Sequence, residues 1–310
     1  MSIFQGDFQS ENAFVYKDNK SGVELFMKRE DLLHPEVSGN KFRKLKYNFA
    51  VAKAQGFKTL LTYGGAFSNH IAATAKAGQL EGFKTIGIIR GGELAKNISH
   101  TLETNATLRF AKKCGMQLEF INREDYRRKE TADFKEEMIA QFGDFYEVPE
   151  GGTNHLAVKG CKEILSKNDA SFDYICCAVG TGGTISGIIE ASKNSQEIVG
   201  FPALKGDFLS DEVKKYTQNT NWSLIQDYHF GGYGKVTDEL VSFINEFKSK
   251  YNIPLDPIYT GKMVYGIVDM IKRGKFSSNT RILAVHTGGL QGISGVNSRL
   301  HKKGAQIIKI

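Results

Sequence analysis

The stretch "SGNKFRKLKYNFA", residues 38–50, sets three bases, Lys41, Arg43 and Lys44, where apolar residues begin to recur at helical spacing. Phe42, Leu45, Phe49 and Ala52 carry that recurrence, which predicts a helix starting after Asn40 with Ser38 or Asn40 as N-cap. A helix N-terminus bears about half a positive charge and disfavours bases. A lysine held there is destabilised as a cation, so its pKa falls and the neutral amine is available to attack a carbonyl. Lys41 is therefore a candidate nucleophile. Lys44 lies three residues on, shares its face, and can keep its charge beside an anion. A solvated basic face on an ordinary helix explains the same residues without any chemistry. An aldehyde that also carries a phosphate would employ both lysines, and pyridoxal 5'-phosphate (PLP) is such a molecule.

Three strand-like runs end in glycine-rich turns that lead into helical patterns: Gly64–Asn69, Gly180–Thr184 and Thr287–Gly289. Ligands of open parallel sheets bind at such turns, outside the carboxyl ends of the strands. In "VGTGGTISG", Gly180, Gly182 and Gly183 allow backbone N–H groups to approach a ligand, and Thr181 and Thr184 add hydroxyls. The following helix adds positive potential, which makes a phosphate cradle. No G-x-x-x-x-G-K-[ST] string occurs, and Ile185 stands where a dinucleotide fingerprint needs glycine. Tight turns serving packing alone would explain one such loop, less readily three. Ser68, Asn69 and His70 in "FSNHIAA" sit at a helix start suited to a carboxylate or a phenolic oxygen, although Ser68 alone reads as an N-cap. His286 reads as a packed histidine. The histidines form no H-x-H or H-x-x-x-H pair and do not cluster with cysteines, so no metal site is expected.

The elements that must position these residues alternate. "FKTLLTYGGA", "NHIAATAKAGQLEG" and "FKTIGIIRGG" read as strand, helix and strand, a βαβ unit of a parallel sheet. "ISHTLETNATLRFAKKCG" continues as one helix, and "MQLEFIN" reads as a strand. "FDYICCAVG", "EIVGFPAL" and "TRILAVHTGG" read as strands buried on both faces. The tail "HKKGAQIIKI" reads as a terminal strand. The expected fold is α/β, with two open twisted parallel sheets flanked by helices. Residues 1–44 and 157–310 would form a large ligand-binding domain, and residues 45–156 a small one.

The chain has 310 residues, enough for two cores, with 41% hydrophobic and 24% charged residues. Its net charge is +7, yet the basic runs are short, mixed with acids and free of interleaved aromatics, so nucleic acid is not an expected partner. Cys114, Cys161, Cys176 and Cys177 form no C-x-x-C and read as buried thiols of a reducing compartment. No run reaches 18 apolar residues and the first residues lack a leader pattern, so a cytoplasmic protein with no membrane partner is expected.

"KREDLLHPEVSGNKFRKL", "YGGAFSNHIAA", "PEGGTNHLAVKG", "VGTGGTISGI", "DPIYTGKMVYGIVDMI" and "VHTGGLQGI" resemble, in order and over nearly the whole chain, the 1-aminocyclopropane-1-carboxylate (ACC) deaminase / D-cysteine desulfhydrase family. These are fold-type II PLP enzymes, similar in fold to the tryptophan synthase β subunit. The resemblance implies that Lys41 is the covalent anchor of PLP and the base at the substrate Cα, and that Lys44 contacts the phosphate beside Gly180–Thr184. It implies that Asn69 hydrogen-bonds the phenolic oxygen, that Ser68 and His70 face the substrate carboxylate, and that Thr287 approaches the pyridine nitrogen. Tyr233 in "GGYGK" and Tyr259 in "DPIYTGK" match the two active-site tyrosines. Thr260 and Thr287 resemble the desulfhydrase branch, where deaminases carry "YEGK" and "HLGG".

The resulting expectation is a PLP-dependent lyase, under a lyase or hydrolase heading, that converts D-cysteine to pyruvate, sulfide and ammonia. Tyr233 or Tyr259 would assist proton transfer, which demands a lowered phenol pKa. The alternatives are ACC or a D-serine-type substrate, and, from another class, a protein that only binds PLP or a phosphate. Family members are commonly homodimers, and the resemblance implies the same here.

Overall fold

The computed structural model describes residues 2–310. Its strands are β1 (Asn12–Lys17), β2 (Glu24–Lys28), β3 (Thr59–Gly65), β4 (Lys84–Arg90), β5 (Gln117–Ile121), β6 (Tyr146–Val148), β7 (Tyr174–Val179), β8 (Glu197–Pro202), β9 (Trp222–Leu224) and β10 (Arg281–Val285). They form a six-stranded sheet ordered β1-β2-β10-β7-β8-β9 and a four-stranded sheet ordered β5-β4-β3-β6. Only β1 runs antiparallel, to β2. The expected α/β fold with two parallel sheets is the observed one. β3 and β7 each bury five successive residues, so helices must cover both of their faces.

Two apolar layers pack on the large sheet. One joins Leu25 and Met27 to Leu240, Ile244, Met263 and Ile267; the other joins Leu283 and Val285 to Ile185, Ile188 and Ile198. Each such side chain contributes about 1.5–3 kcal/mol on burial, so the sheets form a stiff platform for the loops at their edges. Strand order reverses between β3 and β6 in one sheet and between β7 and β10 in the other. Those are the positions at which open α/β sheets leave a crevice. Strands from residues 59–148 make the small sheet and the flanking strands make the large one. The helices Asn40–Ala54 and His155–Lys162 run across the two expected domain cuts.

Three expectations are corrected. Neither Ser38 nor Asn40 caps the Asn40–Ala54 helix. Its N-cap is Gly39, at φ 62° and without a side-chain bond, because the Thr287 carbonyl oxygen lies 2.1 Å from where a Cβ would stand. "ISHTLETNATLRFAKKCG" is two helices, Ile98–Thr104 and Ala106–Lys113. Asn105 between them accepts from Leu108 N and donates to Ala66 O, the local competition by which an amide side chain breaks a helix. The tail forms no strand: Ile307 O and Lys309 N pair with Asn245, and both backbone groups of Ile308 pair with Asn297. All four cysteines are buried thiols. Among the described residues no helix is long and apolar enough to cross a membrane.

Candidate active site

Four strand ends converge. The turns after β3, β6, β7 and β10 bring Ser68–His70, Gly151–Thr153, Gly180–Gly183 and Thr287–Gly289 around the first turn of the Asn40–Ala54 helix. Asn40 N donates to Thr287 O, so the N-terminus of that helix is stitched to the β10 turn.

Lys41 and Lys44 donate to the same carbonyl oxygen, Gly151 O, each at 3.2 Å. Among the described residues, neither has a carboxylate as a hydrogen-bond partner. Burial, followed by the neighbouring Lys44 cation, drives the Lys41 pKa well below that of an ordinary amine; burial also lowers Lys44. The lowering expected of Lys41 is present, with desolvation as its first cause. Arg43, on the opposite face, is bound by Glu30 through two contacts of 2.9 Å and is fully buried.

Lys44 Nζ also donates to Thr153 Oγ1 at 2.8 Å and to Thr181 Oγ1 at 3.4 Å, and the two hydroxyls are 2.5 Å apart. This cluster sits at the start of the Gly183–Ala191 helix, whose N-cap is Gly182 at φ 82°. A Cβ on Gly183 would come within 2.7 Å of Thr153 Cγ2, and one on Gly180 within 3.1 Å of the Tyr259 ring. Glycine alone therefore leaves the loop's N–H groups open. Thr184 is different: its hydroxyl oxygen accepts from Asn40 Nδ2 at 2.9 Å, which ties helix to helix and leaves Thr181 as the loop's exposed hydroxyl.

Across the crevice, Ser68 caps the Asn69–Glu81 helix, accepting from Ile71 N. Ala72 N donates to Ser68 O, which leaves the N–H groups of Asn69 and His70 without partners among the described residues. Gln291 Nε2 holds Asn69 Oδ1 at 2.7 Å, and Asn69 Nδ2 lies 2.6 Å from where a Cβ on Gly289 would stand. Gln291 thus fixes the acceptor end of the amide and leaves its donor end beside Gly289, and all three residues line a cavity with Glu36, Ser38, Lys41 and Thr287.

The His70 side chain does not suit the carboxylate contact expected of it. Thr62 Oγ1 donates to Val148 O and so must accept from His70 Nε2, at 2.7 Å. His70 Nδ1 is then a bare lone pair, buried beside Gly152 without a partner among the described residues. Burial and the Lys41 and Lys44 cations hold the ring neutral. A lone pair repels a carboxylate, so only the backbone N–H of His70 fits that contact.

Tyr233 and Tyr259 meet edge to face, with ring centroids 6.1 Å apart. Burial and then Tyr233 raise the Tyr259 pKa well above that of a free phenol, which reverses the lowering expected for a proton-transferring tyrosine. Tyr259 is thereby held as the neutral phenol. Thr260 is fully buried, donating to Asp256 Oδ2 at 2.7 Å, and that carboxylate also accepts from Ile258 N, Tyr259 N and Thr260 N. Of the two branch-marking threonines, Thr287 lines the cavity and Thr260 fastens the Tyr259 loop. His286 is packed, accepting from Gly288 N through Nδ1 and donating through Nε2 to Pro254 O.

The sequence reading did not select Gly151, Thr153, Asp256 or Gln291. Only the paired glycines of "PEGGTNH" carried a local signal; the rest are defined by partners in distant segments. The donor set fits PLP: an amine of depressed pKa, an ammonium with two hydroxyls and glycine N–H groups at a helix start, and an oriented amide. No group of three or more metal-ligating side chains occurs among the described residues.

Comparison with known proteins agrees. The profile of the family described as pyridoxal-phosphate dependent enzymes matches residues 14–288. A Thermotoga maritima protein provisionally named 1-aminocyclopropane-1-carboxylate deaminase is 32% identical, over 91% of this chain and 93% of its own. An Arabidopsis thaliana protein named bifunctional D-cysteine desulfhydrase/1-aminocyclopropane-1-carboxylate deaminase, mitochondrial, is 31% identical over 88% of this chain and 74% of its own. A crystal structure described as an ACC deaminase homologue superposes with a TM-score of 0.80 at 26% identity, covering 95% of this chain and 93% of that one. A hydrogen sulfide-producing enzyme from Fusobacterium nucleatum shares the fold, with a TM-score of 0.65 at 14% identity over 94% of this chain and 98% of that one. These relatives fit a lyase, and the hydrolase heading is dropped. The chain belongs to the pyridoxal-phosphate-dependent enzymes, and within them to the ACC deaminase / D-cysteine desulfhydrase family.

Proposed function

We propose that this enzyme is a β-eliminating lyase acting on D-cysteine, releasing sulfide, pyruvate and ammonia. The observation that carries the choice of substrate is Thr287. It lines the cavity with an uncharged side chain, while the nearby Asp256 carboxylate is already saturated by three N–H groups and Thr260. PLP, when bound, withdraws electrons from the substrate Cα, and without a charge at its ring nitrogen it suits departure of a good leaving group such as sulfide.

The residue roles are proposals of the same kind. Lys41 Nζ, in its depressed-pKa state, holds the cofactor and takes the Cα proton. Lys44, Thr153, Thr181 and the Gly180–Gly183 N–H groups take the phosphate. Asn69 Nδ2 meets the phenolic oxygen, and the Ser68 hydroxyl with the N–H groups of Asn69 and His70 takes the substrate carboxylate. Tyr259, kept protonated, donates to the departing sulfur. The division into residues 1–44 with 157–310 and residues 45–156 rests on sheet membership. A homodimer and a cytoplasmic location stand as further proposals; one relative is named mitochondrial.

ACC is the second reading, because the Arabidopsis relative carries both activities in its name. Purified enzyme loaded with PLP, assayed for sulfide and pyruvate from D-cysteine and for 2-oxobutanoate from ACC, tests the choice. Turnover of D-cysteine at least ten times faster than ACC is expected; the reverse order would overturn it.

A further inference from the structure

The helix Thr260–Lys272 begins at Tyr259 and carries a lysine that the chemistry above leaves unused. Lys262 is 2% exposed, and its ammonium donates to two backbone carbonyls, His229 O and Gly232 O, each at 2.9 Å. No carboxylate is among its hydrogen-bond partners in the described residues. Desolvation lowers its pKa to about 8. The Asp256 carboxylate offsets that lowering only in part, so burying the ammonium against two carbonyls is costly, and a methionine would fill the space without that cost.

The two carbonyls belong to an unusual turn. Phe230, Gly231, Gly232 and Gly234 have φ of 53°, 87°, 112° and 73°. Phe230 is a non-glycine residue in the left-handed region, a strained state that persists only when its surroundings enforce it. Lys262 grips the turn from both ends. His229 Nδ1 accepts from Gly231 N at 2.9 Å, the Phe230 ring packs edge-on against Tyr265 at 5.0 Å, and Tyr228 lies over Gly266. Lys262, Tyr265 and Gly266 are three and four residues apart, so one helix face moulds the turn. What the turn delivers is Tyr233, which is 53% exposed and meets Tyr259 edge to face. Packing alone does not hold so exposed a ring.

We propose that Lys262 is a positioning residue that clamps the His229–Gly232 turn and so sets Tyr233 against Tyr259 at the mouth of the site. The inference rests on reading those two tyrosines as site residues.

Lys262→Met in the full-length, PLP-loaded enzyme tests it, with substrate kinetics, chymotryptic cleavage after Phe230 and Tyr233, and thermal midpoint measured together. Loss of two hydrogen bonds to a charged donor should raise cleavage at the turn by about 10- to 100-fold. The value of kcat/KM should fall by a similar factor, while the midpoint stays level or rises. Lys262→Arg, which can reach the same carbonyls, should recover part of both losses. If Lys262→Met does not fold, Lys262→Gln serves in its place. Cleavage and kcat/KM within twofold of wild type would overturn the clamp, and so would equal damage in the Met and Arg variants with a lowered midpoint. Cleavage needs no substrate, so an enzyme inactive on every amino acid tried would sink the functional reading and leave the clamp separately testable.

Discussion

The first turn of the Asn40–Ala54 helix has two faces that use the same charge in opposite ways. On one, Arg43 is locked by Glu30, and Glu30 is further held by Ser10 Oγ at 2.6 Å. On the other, Lys41 and Lys44 share a single carbonyl and have no carboxylate among their hydrogen-bond partners. A buried cation with its counter-charge is architecture, because its protonation state is settled and its removal strands a partner. Lys41 and Lys44, bonded to a carbonyl and to hydroxyls at the converging strand ends, are held ready for an anion or an electrophile. What separates framework from site here is whether the charge is already matched, not how deeply it is buried.

Substitutions on the two faces should have opposite consequences. Lys41→Ala should reduce kcat by at least about 10²–10⁴-fold, the range lost with a positioned acid–base group, while the thermal midpoint holds or rises. A midpoint that drops sharply would place Lys41 with the framework. Arg43→Met should do the opposite. With Glu30 stranded, stability should fall by about 3–5 kcal/mol in urea unfolding, and activity per folded molecule should survive. Substantially lower activity per folded molecule would show that the Arg43 face belongs to the site after all.

Gly39→Ala is next. A Cβ at φ 62° would collide with the Thr287 carbonyl, whereas the same change at Gly82, at φ 77° with open space around it, meets only the backbone penalty. The expected costs are above about 2 kcal/mol at Gly39 and about 1 kcal/mol at Gly82. Equal losses in denaturant midpoint would mean that the helix and the β10 turn are not fastened together.

The smallest effect is a pH dependence. Burial, opposed by the Asp256 carboxylate, pushes the Lys262 pKa down to about 8 in the folded protein against 10.5 as a free side chain. Below pH 8 both states are protonated and the burial penalty is complete. Between about pH 8 and 10.5 the unfolded chain binds more protons than the folded one, so wild type gains stability as pH rises. Lys262→Met lacks this titration. Its stability advantage over wild type should therefore shrink across that window, with cysteine and tyrosine titrations cancelling in the difference. An unchanged gap in urea midpoints between about pH 7.5 and pH 9.5 would show that Lys262 is not held as a depressed ammonium.

What the sequence disclosed follows the same division. Lys41, Lys44 and the Gly180–Gly183 turn were legible because short-range spacing places them on one helix face or in one strand–helix turn. Both sheets were legible because continuous apolar runs ending in glycine are local features. The partners were not. Gly151 lies 110 residues from Lys41, and Gln291 lies 222 from Asn69. Neither spacing nor residue type announces such pairings. The His70 tautomer depends on Thr62 and Val148, and the raised pKa of Tyr259 depends on its burial, so neither could be read from local sequence. Asn105 misled for a local one: an asparagine within an otherwise helical pattern can cap a new helix instead of continuing the old.

Lys41, one of the two lysines of the first turn without a carboxylate partner, is the residue proposed to hold PLP. Borohydride reduction of the PLP-loaded enzyme, followed by digestion and mass mapping, tests it most directly. The expected result is a stable pyridoxyl adduct on Lys41, absent from Lys41→Ala. An adduct confined to Lys44 or another lysine, or none in an enzyme that still binds PLP, would contradict it.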